Sequence, residues 1–325
     1  MIATRKYKSA DEFLKDISYG GDMYQKLDSG FVYRGLQSGG YELLPSILRH
    51  GLNIENRIEE DTYRIAVKKD SGELTQSEFL RRTLEFINLR SFFDCCDVNG
   101  LRLPDVDRIR EKLYYDSKLL HPQLYTEEWI PKDFWELTAL AQHYGLETRL
   151  LDWTQDIDIA IYFAVHREPT LSDDEKKKED SQYVAIWALN TSVAQKIPSL
   201  NIIRPPYSGN PNLAAQKGLF TYWKEEGLPF ASKEINLEIL KRETVTKPLN
   251  ELIEVQSQKN ENSEVYMWRY LIPRKDRAIL YEHIKRRNVT AATLFPGYDG
   301  VVRSLKEDSE IKKNDAGGEM DSAVQ

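Results

Sequence analysis

Residues 138–166 read TALAQHYGLETRLLDWTQDIDIAIYFAVH, and the fold turns on how this stretch divides. Its first part completes a helix over 133–145. Gly145 stops that helix, because glycine takes the left-handed conformation at a helix end without steric cost. TRLLDWT then reads as a short buried strand. QDIDIAIYFAVH follows as a second helix, with Asp156 and Asp158 in the first turn, where the helix dipole favours acids. Between and within these elements sit Gln142, His143, Tyr144, Arg149, Asp152, Trp153 and Thr154. Arg149 and Asp152 are spaced to form a buried ion pair joining strand to helix. Such a pair is costly unless fully hydrogen-bonded, so it marks either structural glue or a site that needs rigid geometry. His143 taken alone reads more readily as a satisfied core histidine than as a catalytic one. So many polar groups inside core-like sequence point to a cleft.

Outward from this stretch, the N-terminal side offers SADEF as a helix start capped by Ser9. GFVYRGL (30–36) alternates as a strand running into a loop. Helical patterns follow at 56–70, 76–96 and 105–120, and together predict an all-helical insertion over about 55–120. On the C-terminal side, LSDDEKKKEDS (171–181) reads as a solvated loop and YVAIWAL (183–189) as a strand. RPPYSGNPN (204–212) reads as a loop and GLFTYW (218–223) as a strand. EVYMWRYLI, DRAILYEHIKRR and VTAATLF predict strand, helix and strand over 264–295. Residues 307–325 are polar and are expected to be a disordered tail. The pattern predicts one α+β domain over 1–306, with a mixed or antiparallel sheet core and a helical insertion.

A net charge of −7 argues against wholesale binding to nucleic acid or anionic membrane, while leaving room for a local basic pocket. The two cysteines, Cys95 and Cys96, are adjacent and lack zinc-ligand spacing, which favours a reducing compartment. The first residues show no hydrophobic signal core, and no apolar run approaches ~18 residues. A cytoplasmic protein without membrane contact is expected. No phosphate-loop, dinucleotide-fingerprint, metalloprotease or nucleophile-elbow motif is present. The five histidines lie far apart in sequence, so no metal is expected and a metal-dependent nuclease or hydrolase is the weaker alternative.

Two further clusters interrupt apolar sequence. Arg34 follows an alternating strand and precedes Gly35. A guanidinium there suits a phosphate through its planar fork, although an edge arginine paired with a carboxylate fits the same sequence. Gln216 precedes Gly218 at a strand start, where its amide can donate to and accept from a sugar hydroxyl, or serve as an ordinary loop residue.

Tyr33-Arg34-Gly35, Ala141-Gln142-His143-Tyr144-Gly145-Leu146, Thr148-Arg149-Leu150-Leu151-Asp152-Trp153-Thr154 and Ala160-Ile161-Tyr162-Phe163-Ala164 together resemble the FRG domain family. This family is named for its F/Y-R-G motif and is found mainly in bacteria and their mobile elements. The resemblance is firm over 26–166 and looser through Gln216–Thr221 and Leu294–Gly300. Glu147 stands where the family commonly has proline, and Tyr33 where it often has phenylalanine. More distantly, the order of Arg34, the strand through Thr154, the Ala160–Ala164 helix and Gln216 is similar to the motif order of ADP-ribosyltransferase folds. That similarity implies a nucleotide site with NAD as substrate. Arg34 and Arg149 would hold the diphosphate, Tyr144 or Trp153 would stack on nicotinamide, and Gln216, His143 or Asp152 would meet the ribose, with Thr154 beside them. With glutamine in the usual glutamate position, the similarity implies transfer to a protein or nucleic-acid acceptor, or NAD cleavage, in a toxin or phage-defence effector. A non-catalytic nucleotide-binding module is the alternative.

Overall fold

YVAIWALN has no charged residue, and its interior positions are buried on both faces, as a central strand requires. The computed structural model describes residues 1–27, 30–49, 76–115, 129–223, 247–259 and 264–322. Its strands are β1 (Ile2–Lys6), β2 (Phe31–Leu36), β3 (Leu151–Thr154), β4 (Tyr183–Asn190), β5 (Leu200–Ile203), β6 (Gly218–Trp223) and β7 (Met267–Pro273). They form one sheet in the order β1-β7-β4-β2-β3-β6-β5. β1 runs parallel to β7 and the other neighbouring pairs among the described residues are antiparallel, so the sheet is mixed and the protein α+β.

Helices cover this sheet as the two-residue period of its strands dictates. On one face, Phe31 and Tyr33 of β2, Val184, Ile186 and Ala188 of β4, and Tyr270 and Ile272 of β7 share a core. They pack against α1 (Ala10–Ile17), α5 (Ile157–Val165) and α6 (Arg277–Arg286). Further along the same face, Phe220 and Tyr222 of β6 pack against the helical insertion. Its helices are α2 (Gln76–Val98) and α3 (Val106–Tyr115), joined by α4 (Trp135–His143). The opposite face carries Val32, Leu36, Leu151, Trp153, Trp187, Leu189 and Leu219 beneath Val193, Ile197, Leu249 and Ile253. Each fully buried side chain of this size contributes roughly 1.5–3 kcal/mol.

Local signals are where the sequence places them. Ser9 caps α1 by accepting from the Glu12 amide, and Asp156 caps α5 by accepting from the Asp158 amide. Each cap contributes about 1 kcal/mol. Gly145 ends α4 with φ +95°.

Several expectations need correction. VTAATLF forms no strand. Ala291–Leu294 is a short helix, because Thr293 Oγ1 accepts from the Thr290 amide and donates to the Asn288 carbonyl. Hydroxyls that bond locally in this way draw the backbone out of extended structure. Residue 307 begins no disordered tail: it lies inside α7 (Tyr298–Ser322), with Glu307 and Ile311 buried. The 171–181 loop contains a helical turn at Asp173–Lys176. β1 and β5 were not anticipated. The helix expected at 56–70 and the end of the one expected to reach 120 lie outside the described residues.

Gly35 has a different role from the one its sequence suggests. It does not turn the chain, since β2 runs through it to Leu36 in register with β4. A Cβ at Gly35 would lie 1.8 Å from the Ala160 carbonyl oxygen and 2.7 Å from the Ala164 amide nitrogen. Glycine and the two alanines therefore let α5 lie directly on β2, so the Y-R-G and A-I-Y-F-A motifs are two sides of one contact.

Candidate functional site

β2 and β3 are paired only through Tyr33 and Thr154. Beyond that pair the strands part, and a cleft of about 1140 Å3 opens where they diverge. Arg34, His143, Asp152, Trp153, Thr154 and Gln216 all line it.

Arg34 stands on the face of β2 shared by Val32 and Leu36, while Asp152 stands on the Phe220 face of its own pair. The parting of the strands lets them meet. Arg34 Nη1 donates to the Asp152 carbonyl at 2.7 Å and lies 3.4 Å from Asp152 Oδ2. The guanidinium thus satisfies a carbonyl beside the gap in the ladder. Its side chain is 13% exposed, and Nε has neither solvent contact nor a hydrogen-bond partner among the described residues. Burial pushes its pKa down, the Asp152 carboxylate opposes that shift, and Arg49 adds to it. A guanidinium nonetheless stays protonated at any ordinary pH. The result is a fixed cation with unused donor capacity.

Asp152 is anchored from a second side. Gln142 donates to its Oδ1, Thr148 Oγ1 donates to Gln142 Oε1, and the Leu150 amide donates to Thr148 Oγ1. The chain Arg34–Asp152–Gln142–Thr148 fixes the carboxylate while leaving its side chain 58% exposed to the cleft. His143 makes no hydrogen bond among the described residues and stacks on Phe295 at 6.5 Å between ring centres. Burial lowers its pKa against the pull of Asp152, so the neutral imidazole predominates at pH 7. Gln216 donates through Nε2 to the Leu294 carbonyl at 3.2 Å, and Thr154 Oγ1 donates to the Gln216 backbone carbonyl at 2.8 Å.

Arg149 does not belong to the cleft and does not pair with Asp152. It is 5% exposed, and its Nε donates to both oxygens of Glu85 on α2, at 3.0 and 2.7 Å. Trp129 Nε1 donates to the same carboxylate. Arg149 is glue between the helical insertion and the sheet. Tyr144 is also outside: it is 69% exposed, with its ring edge against His143. Trp153 belongs to the core rather than to a stacking surface, since its indole donates to Thr221 Oγ1 at 2.9 Å and the residue is 3% exposed. Thr154 spends its hydroxyl on the backbone, donating to Gln216 and accepting from the Asp156 amide.

Sequence reading missed much of the cleft's charge. Arg49, Arg167, Lys178 and Arg303 join Arg34 in the lining, against the carboxylates Glu42 and Asp152. A chain of net charge −7 therefore lines its large cleft with an excess of cations. Arg49 ends a short helix, Arg303 lies within α7, and Arg167 and Lys178 lie outside helices. They are far apart in sequence, and no local pattern marks them. Phe163, His166 and Phe295 supply aromatic lining. Among the described residues no three His, Cys, Asp or Glu side chains converge to hold a metal ion, and no helix is long and apolar enough to cross a membrane.

Fold and cleft define an α+β protein with a basic site at a parting of its sheet. Residues 103–173 match the FRG domain model. The match takes in α3, α4, β3 and α5. It begins after Arg34, and β2 is tied to it through the contact of Gly35 with α5. No curated protein and no solved structure matches the chain.

Proposed function

We propose that the cleft binds NAD through its diphosphate and that the protein is an ADP-ribosyltransferase-like enzyme. The observation that carries this reading is Arg34, a largely buried guanidinium with an unused donor in a cleft of mostly cationic lining. A diphosphate would meet the guanidinium beside Asp152 and balance the excess of cations in the lining. The cleft's volume exceeds the ~300–1,000 Å3 of ordinary small-molecule pockets, as a dinucleotide needs. His143 on Phe295 offers an aromatic surface to a planar base, in place of Tyr144 and Trp153. The free Oε1 of Gln216 is an acceptor for a ribose hydroxyl. Breaking the nicotinamide–ribose bond sends its electron pair out with nicotinamide and leaves an oxocarbenium-like centre, which the Asp152 carboxylate stabilises by its charge. Water or an acceptor on a protein or nucleic acid then attacks that carbon. Either outcome suits a toxin or a phage-defence effector.

Titration calorimetry with NAD and ADP-ribose, together with nicotinamide release, tests the reading. Arg34→Ala is expected to weaken binding by roughly 2–4 kcal/mol, and Arg34→Lys by less, because lysine keeps the charge and loses the fork. Wild-type protein that neither binds these ligands nor releases nicotinamide ends this reading. A non-catalytic nucleotide-binding module is the second reading, favoured by the engagement of Asp152 with both Arg34 and Gln142. Binding without nicotinamide release selects it.

A further inference from the structure

A second hollow, of about 720 Å3, lies where the end of β7 meets the start of β4 and the residues after β1. Lys6, Lys8, Arg274 and Lys275 line it, with Tyr7, Tyr183, Gln182, Pro273 and one acid, Glu168. Two of the five charged groups are already used. Lys6 pairs with Glu179 at 2.6 Å and lies over the Tyr183 ring, and Glu168 pairs with Arg277. Lys8, Arg274 and Lys275 have no carboxylate partner among the described residues. Nε and Nη2 of Arg274 are, in addition, shielded from solvent with no hydrogen-bond acceptor among the described residues. An unsatisfied buried N–H costs about 1–3 kcal/mol, more when it is charged. Burial accordingly pushes the Arg274 pKa down, with Tyr41 the opposing influence. Three like charges lining one hollow without a carboxylate partner among the described residues repel one another, and an acidic chain has carboxylates enough to have neutralised them.

We infer that this hollow is a second anion site, for a phosphate-bearing ligand whose oxygens meet the Lys8 and Lys275 ammonium groups and the positive field of Arg274. A compact, multiply charged anion matches three unpaired cations better than a single carboxylate does. The Tyr183 ring and Pro273 give an attached organic group an apolar wall. Residues 167–170 divide the hollow from the cleft: Arg167, Pro169 and Thr170 face the cleft, and Glu168 faces the hollow. Tyr41 donates to the Thr170 carbonyl at 2.7 Å and braces that divide. The site stands whether or not the cleft takes NAD.

The test is titration of the full chain with inorganic pyrophosphate. Arg274→Gln is expected to weaken binding about tenfold, as loss of a charge at the site does. Lys8→Gln combined with Lys275→Gln is expected to do the same, and both positions are exposed, so this variant keeps the test available if Arg274→Gln misfolds. Arg34→Ala leaves pyrophosphate binding to the hollow unchanged. Parallel titration with NAD identifies the source of the phosphate. NAD affinity unchanged in Arg274→Gln means a separate phosphorylated ligand, and a matching loss means that one ligand reaches both places. Pyrophosphate that does not bind the wild type, or that binds both hollow variants as tightly as wild type, overturns the proposal.

Discussion

His166 is held where its charge is least tolerated. It is 5% exposed, stacked on Tyr162 at 5.1 Å, with Nδ1 3.2 Å from the Tyr162 carbonyl oxygen. Burial pushes its pKa down to about 4, and Arg303 and Arg167 push the same way. An unfolded histidine takes up its proton near pH 6.5, before the folded one does. The stabilising contribution is therefore complete above pH 6.5 and is lost as pH falls toward 4, by roughly 3 kcal/mol in total. Melting temperature measured from pH 7 to pH 4 is expected to fall more steeply for wild type than for His166→Gln. Equal slopes would remove His166 as the cause. Arg149 shows why single residues were only partly legible. Its burial could be read from LLDW around it, but its partner Glu85 lies 64 residues upstream, and no local spacing distinguishes that carboxylate from Asp152.

At the scale of elements, the crossing of α5 over β2 is fixed by the absence of side chains. Gly35→Ala places a methyl group within 1.8 Å of a backbone oxygen that a helix holds in place. The helix must lift from the sheet, which costs about 3 kcal/mol or more. Chemical denaturation should show that loss, while Arg34→Ala, one residue away, should leave the midpoint much closer to wild type. A Gly35→Ala protein as stable as wild type would mean that the helix has room to move. β4 and β6 were legible as short apolar runs, because strands buried on both faces carry no polar alternation, and α2 through apolar residues at helical spacing. β1 and β5 were not, being short edge strands with mixed burial. VTAATLF misled for the opposite reason, since β-branched threonine suits a strand until its hydroxyl finds a backbone partner.

For the whole molecule, the α+β class and the mixed sheet followed from the pattern of elements, but the C-terminal boundary did not. Tyr162 Oη donates to Glu307 at 2.8 Å, and Tyr281 Oη and Lys285 Nζ donate to Asp308 at 2.9 and 2.7 Å. A polar composition concealed these anchors, which exist only once α5 and α6 are in place. Removal of residues 307–325 is expected to cost about 3 kcal/mol or more, from exposed core near Ile311 and an orphaned Tyr162 hydroxyl. An unchanged thermal midpoint for the truncated chain would show that these contacts do not matter. The cleft itself was legible in kind, through Arg34, His143, Asp152 and Gln216, though most of its cations were not. The single pairing of Tyr33 with Thr154 also has a mechanical consequence. It divides the sheet into leaves of four strands and three, joined along their shortest ladder. Fewer backbone hydrogen bonds cross this joint than any longer ladder, so the leaves are held together there by α5, by the core that Val32 and Leu36 share with Leu151 and Trp153, and by Arg34 on Asp152. A ligand seated on Arg34 and on the leaf opposite would act as a clasp, converting part of its binding energy into stiffness of the whole sheet.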